Sequence, residues 1–256
     1  MEQKRRRRPI QLTIYLRPRQ SDLVLPIHYN HIVQAALYNS LDSELSAFLH
    51  EKGFLDGKRT FKMFAFSLLR GPFMLDKKQA SIKFTREIQL TVSSPVDEFC
   101  QSLATTLLSR GNIRLGEGEA VVERLYAQNY KVEKEEVYLR TLSPVVLYST
   151  LLRPDGRKYT CYFQPGEPDY DKLLHSNLQK KYRAFYGTAP PPGEVRAKAM
   201  GRQRMSIINY KGTVIKGYSG KLLLTGPVPL LQMAVDGGLG GKNAQGFGCV
   251  EVVGGR

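Results

Sequence analysis

The stretch DGGLGGKNAQGFGCVEV, from Asp236 to Val252, lies almost at the end of a chain of 256 residues. Six of its residues (Gly237, Gly238, Gly240, Gly241, Gly246 and Gly248) are glycines. Glycine backbone is costly to order, so it gathers where a chain needs φ > 0 or the close approach of another backbone. The helical pattern PVPLLQMAVDGG precedes these glycines, and the strand pattern FGCVEVV follows them. A dinucleotide-binding turn needs the reverse order, strand then glycines then helix, and a P-loop needs a Lys-Ser or Lys-Thr pair that is missing here. The loop therefore reads as a helix-to-strand connection. Two uses remain open for it. The glycines permit a tight connection and nothing more, or their successive amides form an anion-binding concavity. In the second use Gly238, Gly240, Gly246 and Gly248 shape the cradle, Lys242 adds a point charge, and Asn243 and Gln245 donate to phosphate or base.

Outward from the loop, the same order of elements occurs twice. IQLTIYLRP alternates as a half-buried strand with Leu12, Ile14 and Leu16 on one face. An amphipathic helix follows from about His31 to Leu41, and Asp42 is placed to cap a second short helix ending near Gly53. FKMFAFSLLRG and ASIKFTREIQLTV read as strands, and SPVDEFCQSLATTLLSRG as a helix capped by Ser94 and ended by Gly111. A strand near AVVERLYAQ closes the first set. In the second set, NYKVEKEEVYLRTL is a strand, DYDKLLHSNLQKKYRAFYG a helix capped by Asp169, EVRAKAMGRQRM and KGYSGKLLLTG strands, and the opening stretch supplies the last helix and strand. The economical architecture is α+β: two tandem ferredoxin-like (RRM-like, split βαβ) domains, residues 1–127 and 128–256.

Lys and Arg total 38 against 23 acids, a net charge of +15, which points to a polyanionic partner, nucleic acid ahead of an anionic membrane. KRRRR (Lys4 to Arg8) reads as an arm attracting phosphate without sequence preference. No apolar run is long enough for a bilayer, no signal peptide is visible, and no helix pairs a basic face with a broad apolar one, so no membrane partner is expected. Three scattered cysteines (Cys100, Cys161, Cys249) support neither a zinc site nor a disulfide framework, and fit a reducing cytoplasm. No cofactor and no metal site is expected. Arg196, Lys198, Arg202 and Arg204 are evenly spaced, so on one strand they would share a face, as a phosphate-tracking stripe requires. A solvated sheet edge would use the same charges.

A C-terminal glycine-rich loop ending Gly-Phe-Gly, on a basic chain with two split βαβ units, resembles the RAMP superfamily of CRISPR-associated RNA-binding proteins. LPIHYNHIVQAALYNSL, SAFLHEKG and KMFAFSLL are similar to the opening of its sixth CRISPR-associated family, the endoribonucleases that cut repeat RNA into guide units. That resemblance covers essentially the whole chain. It implies a metal-independent ribonuclease with repeat RNA (pre-crRNA) as partner, in a multi-subunit CRISPR effector complex or as a homodimer. It also implies a catalytic set of Tyr38 (ALYN), His50 (FLHEKG) and Lys62 (KMFAFSLL), with Lys58 as the alternative lysine. Members differ in these residues, and a non-catalytic RAMP-fold subunit that holds RNA is the competing reading.

The residue types suit the reaction. RNA carries its own nucleophile, the 2′-OH, and its attack on the adjacent phosphorus needs a base, an acid and a cation but no metal. Histidine exchanges a proton near neutral pH. Tyrosine orients or deprotonates the hydroxyl, and lysine stabilises the phosphorane. Taken alone, each residue has an ordinary use: Tyr38 as a core tyrosine, His50 as a helix-end cation, Lys62 as a surface lysine. His31 and His28, beside the first helix, are the rival imidazoles.

Overall fold

A computed structural model describes residues 10–152 and 154–254, so the KRRRR arm lies outside the described residues. The eight core strands are labelled here, and smaller strands are given by range. The first sheet contains β1 (Ile10–Pro18), β2 (Ala65–Phe66), β3 (Ile88–Ser94) and β4 (Gly118–Gln128), in the order β2-β3-β1-β4, with Asn112–Leu115 added beyond β4. The second contains β5 (Glu136–Thr141), β6 (Arg196–Ala199), β7 (Lys221–Thr225) and β8 (Val250–Val252), in the order β6-β7-β5-β8. Every pairing in both is antiparallel. The chain is thus mixed α+β, and each sheet places its third core strand between its first and second, the split βαβ order.

Helices cover one face of each sheet. Asn30–Asn39 (α1) and Asp97–Arg110 (α3) belong to the first sheet, and Ser43–Ala47 (α2) is a short turn between them in sequence. Pro168–Tyr186 (α4) and Val228–Gly237 (α5) belong to the second. Leu12, Ile14 and Leu16 are buried, as their alternation requires. α3 ends at Gly111 and α4 at Gly187, both left-handed. Asp42 caps α2, accepting from the amides of Glu44 (2.9 Å) and Leu45 (3.3 Å).

Several sequence expectations need correction. Ser94 does not cap α3; its hydroxyl accepts from the amide of Val96, the residue just before the helix, and donates to the Met63 carbonyl. Glu167 occupies the N-cap position of α4, because Pro168 opens the helix, as its missing N–H and fixed φ allow. FKMFAFSLLRG is not one strand: it holds the last residue of the short strand Arg59–Phe61, a break at Met63 with φ 52°, and then β2. KGYSGKLLLTG divides at Gly220 into Thr213–Ser219, which pairs with Arg204–Tyr210 in a separate hairpin, and β7.

The two sheets share one buried cluster, which runs from Leu12 and Phe99 to Leu224 and Val250. The glycine loop is wedged at their joint. Asn30 of α1 donates to the carbonyls of Gln245 (3.0 Å) and Gly246 (3.2 Å), and Gln34 donates to that of Ala244 (2.6 Å). At Gly248 a Cβ would lie 1.9 Å from the Leu239 carbonyl oxygen, and at Gly246 2.6 Å from the Asn30 amide nitrogen. Only glycine fits at these two positions.

Candidate active site

Helix α1 presents His31, Gln34 and Tyr38 along one face, at the i, i+3, i+7 spacing of a single stripe. That stripe forms one wall of a cleft of about 890 Å³ between the halves. His50 reaches the cleft from Phe48–Lys52, a π-helical turn of the kind that recurs at functional sites. Gly53 ends that turn with φ 66°. Lys62 enters from the residues just before β2.

The three residues converge. The rings of Tyr38 and His50 meet edge to face with centroids 5.6 Å apart and planes at 83°. Tyr38 also packs on Phe64 at 5.5 Å, which fixes its ring from the core side. Lys62 Nζ donates to the backbone carbonyl of His50 at 2.8 Å. An ammonium has three donors, so this bond anchors the lysine and leaves capacity for an anion. Burial, with a smaller contribution from the Tyr210 phenol, pushes the Tyr38 phenol up to about 12. At neutral pH Tyr38 therefore holds its proton, which favours donating and orienting over acting as a base. Burial also lowers the Lys62 pKa.

Lys58 is exposed on the hairpin turn and does not line the cleft. His31 does line it, with its ring edge on Tyr210 at 6.4 Å and Nδ1 buried with no hydrogen-bond partner among the described residues. Seven residues separate His31 from Tyr38, about 10 Å along the helix axis, too far to share one proton transfer. His28 lies outside the cleft, and His175 Nδ1 accepts from the Val195 amide.

Arg59, Lys62, Lys180, Lys181, Lys211 and Lys242 line the cleft, and among the described residues no Asp or Glu does. Such a wall offers cations to a polyanion without a lining carboxylate to repel it. Lys181 differs from the rest. It is fully buried, its Nζ donates to the carbonyls of Gly237 (3.1 Å) and Gly238 (2.6 Å) at the C-terminus of α5, and burial brings its pKa down to about 7. Gln34, whose side-chain oxygen accepts from the Tyr210 hydroxyl, was missed by the sequence reading, as were Tyr210, Arg59 and the α4 lysines. Helical spacing from Tyr38 was the available signal for Gln34; the others had none.

Five amides of the glycine loop are already engaged by backbone. The amides of Leu239, Gly241, Gln245, Gly246 and Gly248 donate to backbone carbonyls, two of them on Pro144 and Val146 outside the loop. Asn243 is buried, and its amide nitrogen donates to the carbonyls of Leu239 (2.9 Å) and Phe247 (3.0 Å). Gly238, Gly240, Gly246 and Gly248 do not line the cleft; Lys242, Asn243 and Gln245 do. The stripe of Arg196, Lys198, Arg202 and Arg204 also fails as a single strand. Arg196 and Lys198 are exposed on edge strand β6, Arg202 lies in the connection, and Arg204 starts a strand of another sheet. Arg196 pairs with Glu194 at 3.1 Å. None of the four lines the cleft.

Among the described residues no group of three or more His, Cys, Asp or Glu is gathered to hold a metal ion. No described helix is long and apolar enough to cross a membrane.

Two split βαβ sheets with a cation-lined cleft between them define the class: a mixed α+β protein with a basic cleft. The sequence matches the family models for CRISPR-associated protein Cas6, N-terminal, over residues 24–126, and CRISPR associated protein Cas6, C-terminal, over residues 127–252. The chain belongs to the Cas6 family. It is 28% identical over 228 residues to CRISPR-associated endoribonuclease Cas6 1 of Methanocaldococcus jannaschii, covering 89% of this chain and 87% of that one. It is 28% identical over 268 residues to CRISPR-associated endoribonuclease Cas6 of Pyrococcus furiosus, covering 95% and 90%. A solved structure described as a Cas6-related gene product from Pyrococcus furiosus superposes with a TM-score of 0.83 at 18% identity, covering 97% of this chain and all (100%) of that one, which is a likeness of fold.

Proposed function

We propose that this chain is a metal-independent endoribonuclease that cuts CRISPR repeat RNA into guide units. The observation that carries the reading is the convergence of Tyr38, His50 and Lys62 on one cleft whose lining is rich in Lys and Arg and, among the described residues, holds no carboxylate. The curated relatives of similar length bear the name of that activity.

In this reading the scissile phosphate lies against His50 and Lys62. A base removes the 2′-OH proton, the 2′-oxygen bonds to phosphorus, and the bond from phosphorus to the 5′-oxygen breaks as that oxygen takes a proton. His50 is the proton-transfer group, the protonated Tyr38 phenol orients the hydroxyl or a phosphate oxygen, and Lys62 balances the added phosphorane charge. The products are a 2′,3′-cyclic phosphate and a 5′-hydroxyl. Lys242 and Gln245 of the glycine loop contact the same RNA in the cleft. Arg196, Lys198, Arg202 and Arg204 carry positive charge along the outside of the second half, where a longer RNA would run. Residues 1–127 and 128–256 act as two RNA-handling units, and the cytoplasm is the site of action.

The test is to incubate the full chain with repeat RNA in EDTA and analyse the ends. Cyclic-phosphate and 5′-hydroxyl ends are expected. Strict dependence on Mg²⁺, or 3′-hydroxyl products, overturns the mechanism. RNA that is bound but never cut means that the chain is instead a RAMP-fold RNA-holding subunit.

A further inference from the structure

The hairpin formed by Phe54–Asp56 and Arg59–Phe61 carries Arg59, and α4 carries Lys180; both side chains line the cleft that holds His50 and Lys62. The hairpin comes from the first half of the chain and α4 from the second. Arg183, one turn beyond Lys180, joins them by donating from Nε and Nη2 to the two carboxylate oxygens of Asp56, each at 3.0 Å. A bidentate fork fixes orientation as well as distance.

This ion pair leaves a surplus. Arg183, Lys180 and Arg59 all lie near enough to Asp56 to lower its pKa, so three cations share one carboxylate, which the Arg183 fork already engages. Lys180 is held partly out of water, and its lowered pKa reflects burial first and the Arg59 charge next. Holding like charges together costs stability, so the arrangement calls for an anion from outside. An anion entering the cleft would meet Arg59 from one half and Lys180 from the other.

We propose that Arg59 and Lys180 form a seat for a second backbone phosphate of the RNA, beside the phosphate handled by His50 and Lys62, and that the Asp56–Arg183 ion pair holds this seat together across the two halves. The inference rests on the RNA-cutting reading. It adds a sequence-independent contact that fixes where the strand lies on the catalytic side.

The experiment measures binding of fully 2′-O-methylated repeat RNA, which lacks the attacking hydroxyl, across a salt series. Arg59→Ala and Lys180→Ala should each weaken binding about three- to tenfold at 0.15 M salt. Each should also flatten the slope of log affinity against log salt by about 0.7, the value for one lost phosphate contact on a single strand. Lys180→Arg should restore the slope. Arg59→Gln and Lys180→Gln replace any alanine variant that does not fold. Unchanged slopes in both positions overturn the seat, and if unmodified repeat RNA is still cut, the nuclease reading stands without it. Failure of the wild-type chain to cut repeat RNA overturns the nuclease reading instead, and the slopes still judge the seat.

Discussion

Lys62 donates from Nζ to the backbone carbonyl of His50 at 2.8 Å. This single bond links the residues before β2 to the π-helical turn, so the ammonium and the imidazole are positioned by the same piece of backbone. Tyr38 completes the set from a third element, its ring edge-on to that of His50.

His50 is exposed, and its ring meets that of Tyr38 edge to face. His50→Ala should leave the thermal midpoint and the RNA affinity within a few-fold of wild type while cleavage falls by about 10²–10⁴. Single-turnover cleavage beside a binding titration checks it. Full cleavage by this variant would overturn the role of His50.

Tyr38→Phe keeps both ring contacts and removes only the hydroxyl. Cleavage should fall about tenfold or more, with little change in stability. Because burial raises the phenol to about 12, it stays protonated through pH 8–10. The pH–rate profiles of wild type and variant should therefore run parallel over that range. A rate limb near pH 10 that vanishes in Tyr38→Phe would make the phenolate a base.

Gly248 has φ 68°, and a Cβ there would meet the Leu239 carbonyl oxygen at 1.9 Å. Gly248→Ala should cost more than about 3 kcal/mol or prevent folding. Gly212, with φ 81° and open space around it, is the control: alanine there should cost about 1 kcal/mol. Chemical denaturation of both variants makes the comparison, and equal costs would contradict the wedge.

Lys181 makes a pH-dependent contribution of known sign. Its pKa is about 7 in the folded state against 10.5 ordinarily, so between these values the unfolded chain binds the extra proton. Stability from this group therefore rises as pH increases from about 7 towards 10.5. Lys181→Met removes that rise along with two hydrogen bonds to the α5 terminus. Thermal midpoints of the two proteins should diverge as pH goes from 7 to 9, and parallel curves would show that Lys181 keeps its proton throughout.

Much of the fold is legible locally because its signals are local. Alternation in β1, the Asp42 cap and the left-handed glycines after α3 and α4 each act within a few residues. The α1 stripe is equally readable, since helical periodicity alone puts His31, Gln34 and Tyr38 on one side. The choice between Lys58 and Lys62 was not readable from spacing. It depends on which lysine the hairpin turns inward, and the turn at Gly57, with φ 58°, leaves Lys58 in solvent.

The sequence by itself determined the order of elements, the basic charge and the residue types able to move a proton, because these follow from composition and short-range periodicity. Tertiary structure alone decided the rest. It bonded five of the glycine-loop amides to backbone carbonyls, split the four-cation stripe between two sheets, buried Lys181 against a helix terminus and joined Asp56 to Arg183 across 127 positions of chain. Each of those outcomes depends on contacts between residues far apart in the chain, and packing of the two sheets sets them where local propensity cannot reach.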